Sequence, residues 1–494
     1  MIRFLRVSVI LLVISLIFAG LMPAQAQTDL DTAAIDAYVT RMLEVHGVPG
    51  AAIAIVQNNR LQYVKGYGIR NVDTGEPVTP ETLFSIGSIS KSFTAFAVMQ
   101  LVEAGKLNLD TPVITYLPEF KLSTPEATQA LTLRHLLSNS AGFVPDDVVW
   151  YTGKLQNNAD LLAHIATLKI EAAPGTKFAY NNLGFALVGV VIEQVTGQTW
   201  AEYMRENVLP LFYMQTATLS YAEMQKSADF AAPHGLSVRD KYRRLPFFPH
   251  LDIVGAAGGI HASAREMANY AIFALGDGAF DDARLLTPES LAEMHTKQSE
   301  ADGAGYGLGW VLSEIEGKRL VWHNGAIDGF ASTLVTVPED KFGVVVLLNG
   351  ENADNPTLTD VMALGILHIG LQFEPLEDIY EAIKKQSGLD PEARAKRFAA
   401  ARDYQPNIAE YEQYVGKYVS LFLDLTIVLE DGRLFADVVQ SGLPYRMELF
   451  EFEPRSFVTD MRGASNSVFV FRVNDDGSIN VLQDGTPIAT KPKP

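Results

Sequence analysis

The chain is organised around Phe84-Ser85-Ile86-Gly87-Ser88-Ile89-Ser90-Lys91-Ser92-Phe93, which holds the only Ser-x-x-Lys of the sequence, Ser88 to Lys91. In the first turn of a helix, residues three apart lie on one face, so the Lys91 ammonium can reach the Ser88 hydroxyl. A serine becomes a useful nucleophile when a base lies beside it, and a helix N-terminus presents N–H groups to a developing oxyanion. The stretch therefore predicts a nucleophilic serine just inside the start of a buried helix.

The surrounding patterns predict an antiparallel sheet with helices. Residues 30–45 have the apolar spacing of a helix, and residues 51–56 and 61–66 are typical of two strands joined by a hairpin turn. Further predicted helices cover 93–104, 131–138, 181–198 and 263–275. Strand-like segments follow at 306–313, 320–323, 332–337 and 343–348. We therefore expect an antiparallel sheet flanked by helices from both ends of this region.

The C-terminal part has a different texture. Residues 373–405 are charged and rich in alanine, which predicts a helical linker. After Pro406, short apolar segments alternate with Asp-Gly turns, which is typical of a small all-β barrel or sandwich. The predicted strands are 421–428, 434–439, 445–452, 456–459, 467–473 and 479–482.

The first 26 residues have the features of a secretory signal peptide. Arg3 and Arg6 precede an apolar run at 7–22, and Ala24-Gln25-Ala26 fits the small-residue cleavage site. The run is shorter than the roughly 20 residues of a membrane-spanning helix. We expect an exported protein, periplasmic or extracellular, with no integral membrane span after cleavage; the alternative is an uncleaved anchor.

Composition excludes several classes of function. The 494 residues include 58 acidic and 39 basic side chains, for a net charge of −19, so nucleic acid is not an expected partner. There is no cysteine, which excludes disulfides and thiolate chemistry. The histidines have no metal-ligand spacing, so we expect no metal and no cofactor. No Gly-x-Ser-x-Gly elbow is present, which argues against an α/β-hydrolase.

Two further short motifs suit a Ser-Lys hydrolase. In Tyr180-Asn181-Asn182, a tyrosinate at Tyr180 could take the Ser88 proton, and Asn182 could bind a substrate amide. In His323-Asn324-Gly325-Ala326, a strand end could offer a backbone N–H to the oxyanion, and Gly325 would let the substrate approach. Taken singly, these residues are more often a packed aromatic, a helix cap and a strand histidine.

In this order, Ser88-x-x-Lys91, Tyr180-x-Asn182 and His323-x-Gly325 resemble the motifs of the serine β-lactamase and penicillin-binding protein superfamily. The closer similarity is to its class C β-lactamase branch, which also contains D-aminopeptidases, D-alanyl-D-alanine carboxypeptidases and esterases. The resemblance covers about residues 30–372. It implies an α/β (α+β) domain at 27–372, with a β-lactamase/transpeptidase-like antiparallel sheet and a helical subdomain. Residues 414–418 resemble the start of a lipocalin-like barrel, which implies such a domain at 406–494.

The same resemblance implies the roles of individual residues. Ser88 would form the acyl-enzyme, Lys91 and Tyr180 would share general acid and base work, and Asn182 would orient the substrate. The backbone N–H groups of Ser88 and Ala326 would form the oxyanion hole.

Two positions depart from the pattern of the superfamily. His323 stands where β-lactamases usually have lysine, which favours peptidase or esterase activity over β-lactamase activity. Asn139 stands where relatives usually carry histidine, and the sequence assigns no consequence to this change.

The expected function is therefore that of an exported serine hydrolase that cleaves an amide or ester. Its substrate would be a D-residue peptide or cell-wall fragment, as for a D-peptidase or carboxypeptidase, or else a small ester. Two alternatives are a non-catalytic penicillin-binding-like scaffold that binds a cell-wall ligand or partner, and a β-lactamase.

Overall fold

The computed structural model describes residues 30–151, 153–236, 242–247, 251–301, 303–327, 329–351, 358–373, 391–420, 423–440, 443–459 and 468–493. The predicted signal peptide and residues 374–390 of the predicted linker lie outside the described residues. Within the described part, no helix combines the length and the apolar character needed to cross a membrane.

The described helices, in chain order, are α1 Thr32–His46, α2 Ser90–Glu103, α3 Val113–Tyr116, α4 Pro125–Ala130, α5 Leu133–Leu137, α6 Val148–Tyr151, α7 Asn158–Ile165, α8 Asn182–Thr196, α9 Trp200–Tyr203, α10 Tyr221–Met224, α11 Gly255–Gly258, α12 Ala264–Leu275, α13 Pro288–Met294, α14 Leu358–Leu371, α15 Pro391–Asp403 and α16 Ile408–Tyr411. The strands before residue 352 are β1 Gly50–Gln57, β2 Arg60–Gly68, β3 Phe84–Ser85, β4 His234–Leu236, β5 Tyr242–Arg244, β6 His261–Ala262, β7 Ala279–Phe280, β8 Ala283–Arg284, β9 Ser299–Ala301, β10 Ala304–Tyr306, β11 Val311–Ile315, β12 Lys318–Ile327, β13 Phe330–Val337, β14 Phe342–Leu348 and β15 Gly350–Glu351.

The main sheet has eight strands in the order β2-β1-β14-β13-β12-β11-β10-β9, and all neighbours in it are antiparallel. Side chains alternate between the two faces of a strand. In β1, Ile53 and Ile55 therefore join the core formed with α1 and α14, whereas Ala54 and Val56 join the larger core with α2 and α12. Because both faces are covered, β1 and β14 are continuous apolar runs. The predicted fold class is confirmed, and helices from both ends of the region flank the sheet.

One predicted strand is wrong. Residues 306–313 do not form a single strand, because the chain turns between β10 and β11, where the Gly307 N–H donates to the Trp310 carbonyl at 2.8 Å. Gly309 has a left-handed φ of +74°, and a Cβ on it would lie 2.8 Å from the Lys91 carbonyl. The turn therefore packs against the backbone of α2, which is a tertiary contact that strand periodicity does not reveal.

The C-terminal strands form a nearly closed antiparallel barrel. They are β16 Gly416–Tyr418, β17 Leu423–Glu430, β18 Arg433–Gln440, β19 Leu443–Glu453, β20 Ser456–Val458, β21 Phe469–Val473, β22 Ile479–Gln483 and β23 Thr486–Lys491. Each strand pairs with the next, and Val419 pairs with Thr490 to bring the last strand back to the first. The rings of Tyr414, Phe457 and Phe471 pack in its core.

This barrel confirms the predicted all-β architecture of the C-terminal part, although the sequence did not predict the first and last strands, β16 and β23. In the predicted linker, the described residues 391–403 form helix α15, where Phe398 packs against Val458. The domain boundaries and the lipocalin-like relationship stay predictions.

Candidate active site

Ser88 lies on a 3₁₀ turn, Gly87–Ile89, that leads directly into α2. The predicted position inside the helix is therefore corrected, because the α-helix begins two residues later. The turn follows β3, which pairs with β6, and the Ile86 N–H donates to the Ile260 carbonyl at 3.0 Å. A 3₁₀ turn repeats every three residues, so the spacing from Ser88 to Lys91 still places both side chains on one side.

Lys91 is fully buried, and its Nζ contacts three oxygens. These are Ser88 Oγ at 3.0 Å, Asn182 Oδ1 at 2.6 Å and the Ala257 carbonyl at 2.8 Å. Burial disfavours the charged form and lowers the pKa of Lys91 to about 7, although the Asp147 carboxylate raises it in part. Near neutral pH this lysine therefore populates both its neutral and its charged form.

Tyr180 packs against the same amine, with Lys91 Nζ 4.8 Å from the centre of its ring. Burial raises the pKa of Tyr180, while a hydrogen bond with Ser88 lowers it in part. The phenol is therefore protonated at neutral pH. The tyrosinate that the sequence suggested is disfavoured in the resting site.

Asn139 holds the Tyr180 segment from both sides. Its side-chain Oδ1 accepts the Asn181 N–H at 3.0 Å, and its carbonyl accepts the Ala179 N–H at 2.7 Å. Asn139 has φ of +53°, a left-handed conformation that asparagine tolerates better than most residues. The sequence noted this position only as a departure, and the structure shows that it fixes the backbone on either side of Tyr180.

Asn182 is the first residue of α8, and the helix cap is Asn181, whose Oδ1 accepts the Gly184 N–H at 3.1 Å. The Asn182 side chain therefore does not cap the helix. Its Oδ1 accepts a hydrogen bond from Lys91, and the side chain also hydrogen-bonds the Asp147 carboxylate. Asp147 was not among the predicted site residues.

The third motif lies on β12, directly against the Ser88 turn. A Cβ on Gly325 would be 2.1 Å from the Ile86 carbonyl oxygen and 2.8 Å from the Ser88 nitrogen. In the opposite direction, a Cβ on Gly87 would be 2.9 Å from the Ala326 nitrogen. The two glycines therefore let two backbones approach closely, which brings the Ser88 and Ala326 backbone together.

His323 is buried within this motif and is neutral. Its Nδ1 lies 2.6 Å from the Asn324 carbonyl oxygen, and its Nε2 lies 2.9 Å from the Tyr306 hydroxyl. A carbonyl only accepts, so Nδ1 carries the proton and Nε2 accepts from Tyr306. Burial first, and then the nearby Lys91, lower the pKa of His323 to about 3. Both ring nitrogens are therefore engaged within the protein.

A buried carboxyl group supports β12 from the opposite side. Asp360 on α14 accepts from Asn324 Nδ2 at 2.9 Å and from Thr333 Oγ1 at 2.5 Å. Burial raises the pKa of Asp360 to about 7, against the opposing effect of these two donors. The group ties the third motif to α14 and was not predicted from the sequence.

The described residues contain no group of three or more histidine, aspartate or glutamate side chains that could hold a metal ion.

The chain is similar to a known protein family and to individual known proteins. A family model described as Beta-lactamase matches residues 35–366. Protein flp of Staphylococcus aureus strain MW2 is 28% identical over 329 residues, which cover 66% of this chain and 64% of that protein. The chain thus spans less than two thirds of that relative's length. Penicillin-binding protein 4 of Amycolatopsis lactamdurans is 31% identical over 318 residues, which cover 62% of this chain and 82% of that protein.

A solved structure shares the fold over most of the chain. The octameric penicillin-binding protein homologue from Pyrococcus abyssi superposes with a TM-score of 0.62 at 24% identity. The match covers 94% of this chain and 100% of that chain. At this identity the likeness concerns the fold alone.

Proposed function

The chain belongs to the beta-lactamase family, whose members are serine hydrolases, and from this premise we propose that it hydrolyses an amide or ester through an acyl-enzyme on Ser88. The family recognised from the three motifs is confirmed by the match over residues 35–366. The proposal of an acyl-enzyme on Ser88 rests on the 3.0 Å contact between Ser88 Oγ and the Nζ of the buried Lys91.

Lys91 is the general base of this proposal. A neutral amine has two N–H donors and one lone pair. The two carbonyl-type oxygens around Lys91, from Asn182 and Ala257, can only accept, so they take the two N–H groups. The lone pair then faces the Ser88 hydroxyl, which is the remaining contact. A base with a pKa of about 7 is well matched to proton transfer near neutral pH.

Tyr180 serves as the proton donor. Its raised pKa keeps the phenol protonated, and because the Ser88 O–H is directed to the Lys91 lone pair, the phenol donates its own proton towards the Ser88 oxygen. The phenol can pass a proton to the leaving group. Lys91 Nζ, which lies 4.8 Å from the centre of the Tyr180 ring, then returns a proton to the phenolate. Deacylation reverses these roles with water in place of the leaving group.

The backbone of Ser88 and Ala326 supplies the oxyanion stabilisation in this scheme. The close approach at Gly87 and Gly325 aligns the two segments without side chains between them. Fixed N–H donors of this kind act where charge develops in the transition state and need no rearrangement during the reaction.

His323 favours D-peptidase, carboxypeptidase-like or esterase activity over β-lactamase activity. β-Lactam antibiotics carry a carboxylate, and a lysine at this position would offer it a cation. His323 is neutral at physiological pH, and both of its nitrogens already have protein partners. The position therefore offers little attraction to an anion.

We also propose that the protein is exported, on the basis of its first 26 residues, and that it meets small peptides, esters or cell-wall fragments outside the cytoplasm. The rival proposal is a non-catalytic scaffold that binds such ligands without turnover. Lys91 favours catalysis, because burying an amine costs free energy and this one is buried in contact with the Ser88 hydroxyl.

The experiment compares the mature protein with its Ser88→Ala variant. Each is treated with a fluorophosphonate and analysed by intact-protein mass spectrometry, and each is then assayed on D-alanyl peptides, p-nitrophenyl esters and a chromogenic β-lactam. We expect a single adduct on Ser88 and turnover of peptides or esters by the wild type alone. An unlabelled wild type that is as inactive as Ser88→Ala would overturn the proposal and favour the scaffold.

A further inference from the structure

Asp147 is a carboxylate at the catalytic site for which the acylation chemistry has no use. It lies immediately before α6, in the segment that follows α5. The Asn182 side chain hydrogen-bonds this carboxylate. The Asp147 Oδ1 atom, however, is shielded from solvent and has no hydrogen-bond partner within the described part of the chain. A buried polar atom without a partner is unfavourable, so the arrangement lacks a donor on this side.

The position of Asp147 relative to the nucleophile is defined by a chain of hydrogen bonds. Ser88 contacts Lys91, Lys91 donates to Asn182, and Asn182 bonds Asp147. Three such bonds place the carboxylate within about 10 Å of the Ser88 oxygen. A long side-chain ammonium on an acyl group attached to Ser88 can span that distance, whereas an α-ammonium reaches only a carboxylate that lies nearer than this limit. Asp147 also acts electrostatically on both Lys91 and Tyr180.

The charges around the site favour a positive group on the substrate. Asp147 supplies a partly buried negative charge, and charge interactions strengthen where water is excluded. His323, on the third motif, is neutral and supplies no balancing cation. A substrate ammonium would give the free Asp147 oxygen the donor that it lacks, whereas a substrate carboxylate would be repelled.

We propose that Asp147 forms a subsite for a positively charged amino group on the acyl part of the substrate. The proposal rests on the Ser88 chemistry proposed above and narrows its substrates to aminoacyl amides or esters that keep a free amine. The competing explanation is that Asp147 only orients Asn182. In that case the charge of the substrate would not matter.

The test uses three p-nitroanilides with the same leaving group. D-Alanine p-nitroanilide carries an α-ammonium, N-acetyl-D-lysine p-nitroanilide carries a side-chain ammonium, and N-acetyl-D-alanine p-nitroanilide is neutral. The measured quantity is the ratio of kcat/KM for each cationic substrate to that for the neutral one. It is determined for the wild type, for Asp147→Asn, and for Asp146→Asn as a matched control. Asp146 is the neighbouring carboxylate, and it pairs with His164 at 3.0 Å instead.

We expect the wild type and Asp146→Asn to prefer at least one cationic substrate by roughly 10- to 100-fold, the usual range for a hydrogen bond between charged groups. Asp147→Asn should bring this ratio close to one. A ratio that is the same in wild type and Asp147→Asn would overturn the proposal. So would a loss of activity in Asp147→Asn that is equal for neutral and cationic substrates, because that result assigns Asp147 to orienting Asn182.

Fluorophosphonate labelling separates this inference from the proposed function. If the wild type gives an adduct on Ser88 but shows no preference for cationic substrates, only the Asp147 subsite is refuted. If Ser88 gives no adduct and no anilide is cleaved, the hydrolase proposal fails and the subsite fails with it.

Discussion

Replacing Asn139 tests whether its hydrogen bonds to the backbone on either side of Tyr180 hold this proposed proton donor in place. Asn139→Ala and Asn139→Gly both remove the oxygen that accepts the Asn181 N–H at 3.0 Å. Asn181 is buried, so its N–H is left without a partner, which costs about 1–3 kcal/mol of unfolding free energy. Alanine adds roughly 1–2 kcal/mol because φ is +53° at this position, whereas glycine tolerates it. We therefore expect losses of about 2–5 kcal/mol for alanine and about 1–3 kcal/mol for glycine.

The two variants should differ in stability but agree in catalysis. Each frees the backbone beside Tyr180, and a misplacement of about 1 Å can lower the rate roughly 100-fold. The assays are urea unfolding for stability and kcat/KM on the best ester or peptide for function. If Asn139→Gly keeps both wild-type stability and wild-type kcat/KM, then the bond to Asn181 does not position Tyr180.

Three further changes probe separate parts of the site. Tyr180→Phe should lower kcat by about 10²–10⁴-fold with little change in urea unfolding, because only the proton donor is lost; an unaffected kcat would remove Tyr180 from the mechanism. Gly325→Ala should lower kcat by about 10²–10³-fold, since its Cβ would lie 2.1 Å from the Ile86 oxygen and push β12 away from Ser88; wild-type kcat would show that this approach is not needed. Asp360 has a pKa raised to about 7, so the folded state binds its proton more tightly than the unfolded state. The stabilisation it gives is present below pH 4 and is lost as the pH rises to 7, by up to about 4 kcal/mol, and Asp360→Asn should lack this dependence in urea unfolding measured from pH 4 to 8; equal pH profiles would contradict the assignment.

Local sequence predicts the parts of the site that depend on local geometry. Ser88 and Lys91 are three residues apart, so a single turn decides their contact. Tyr180 and Asn182 lie on either side of Asn181, which caps helix α8. The capping asparagine and the apolar run after it predict the start of this helix. The main strands were predictable because β1 and β14 are long apolar runs in a chain that also supplies helices to cover both faces.

The remaining parts come from contacts between distant segments. Three separate segments of the chain contribute Asp147, Ala257 and Asp360 to the site and its support. No sequence pattern around these residues predicts that they lie there. The 306–313 segment turns because Gly309 packs on α2, which overrides its strand-like pattern. The tyrosinate was expected from proximity to Lys91, whereas the opposite effect of burial on Tyr180 depends on the folded environment.

The pH dependence of Ser88 acylation tests whether Lys91 is the base that activates this serine. The rate of fluorophosphonate labelling is followed by mass spectrometry from pH 5 to 9, with Lys91→Met as the control. We expect a rate that rises about tenfold per pH unit at low pH and levels off near pH 7, as Lys91 loses its proton. The control should be labelled far more slowly and without this step. A wild-type rate that is flat across the range, or one that Lys91→Met reproduces, would contradict the role of Lys91 as the base that activates Ser88.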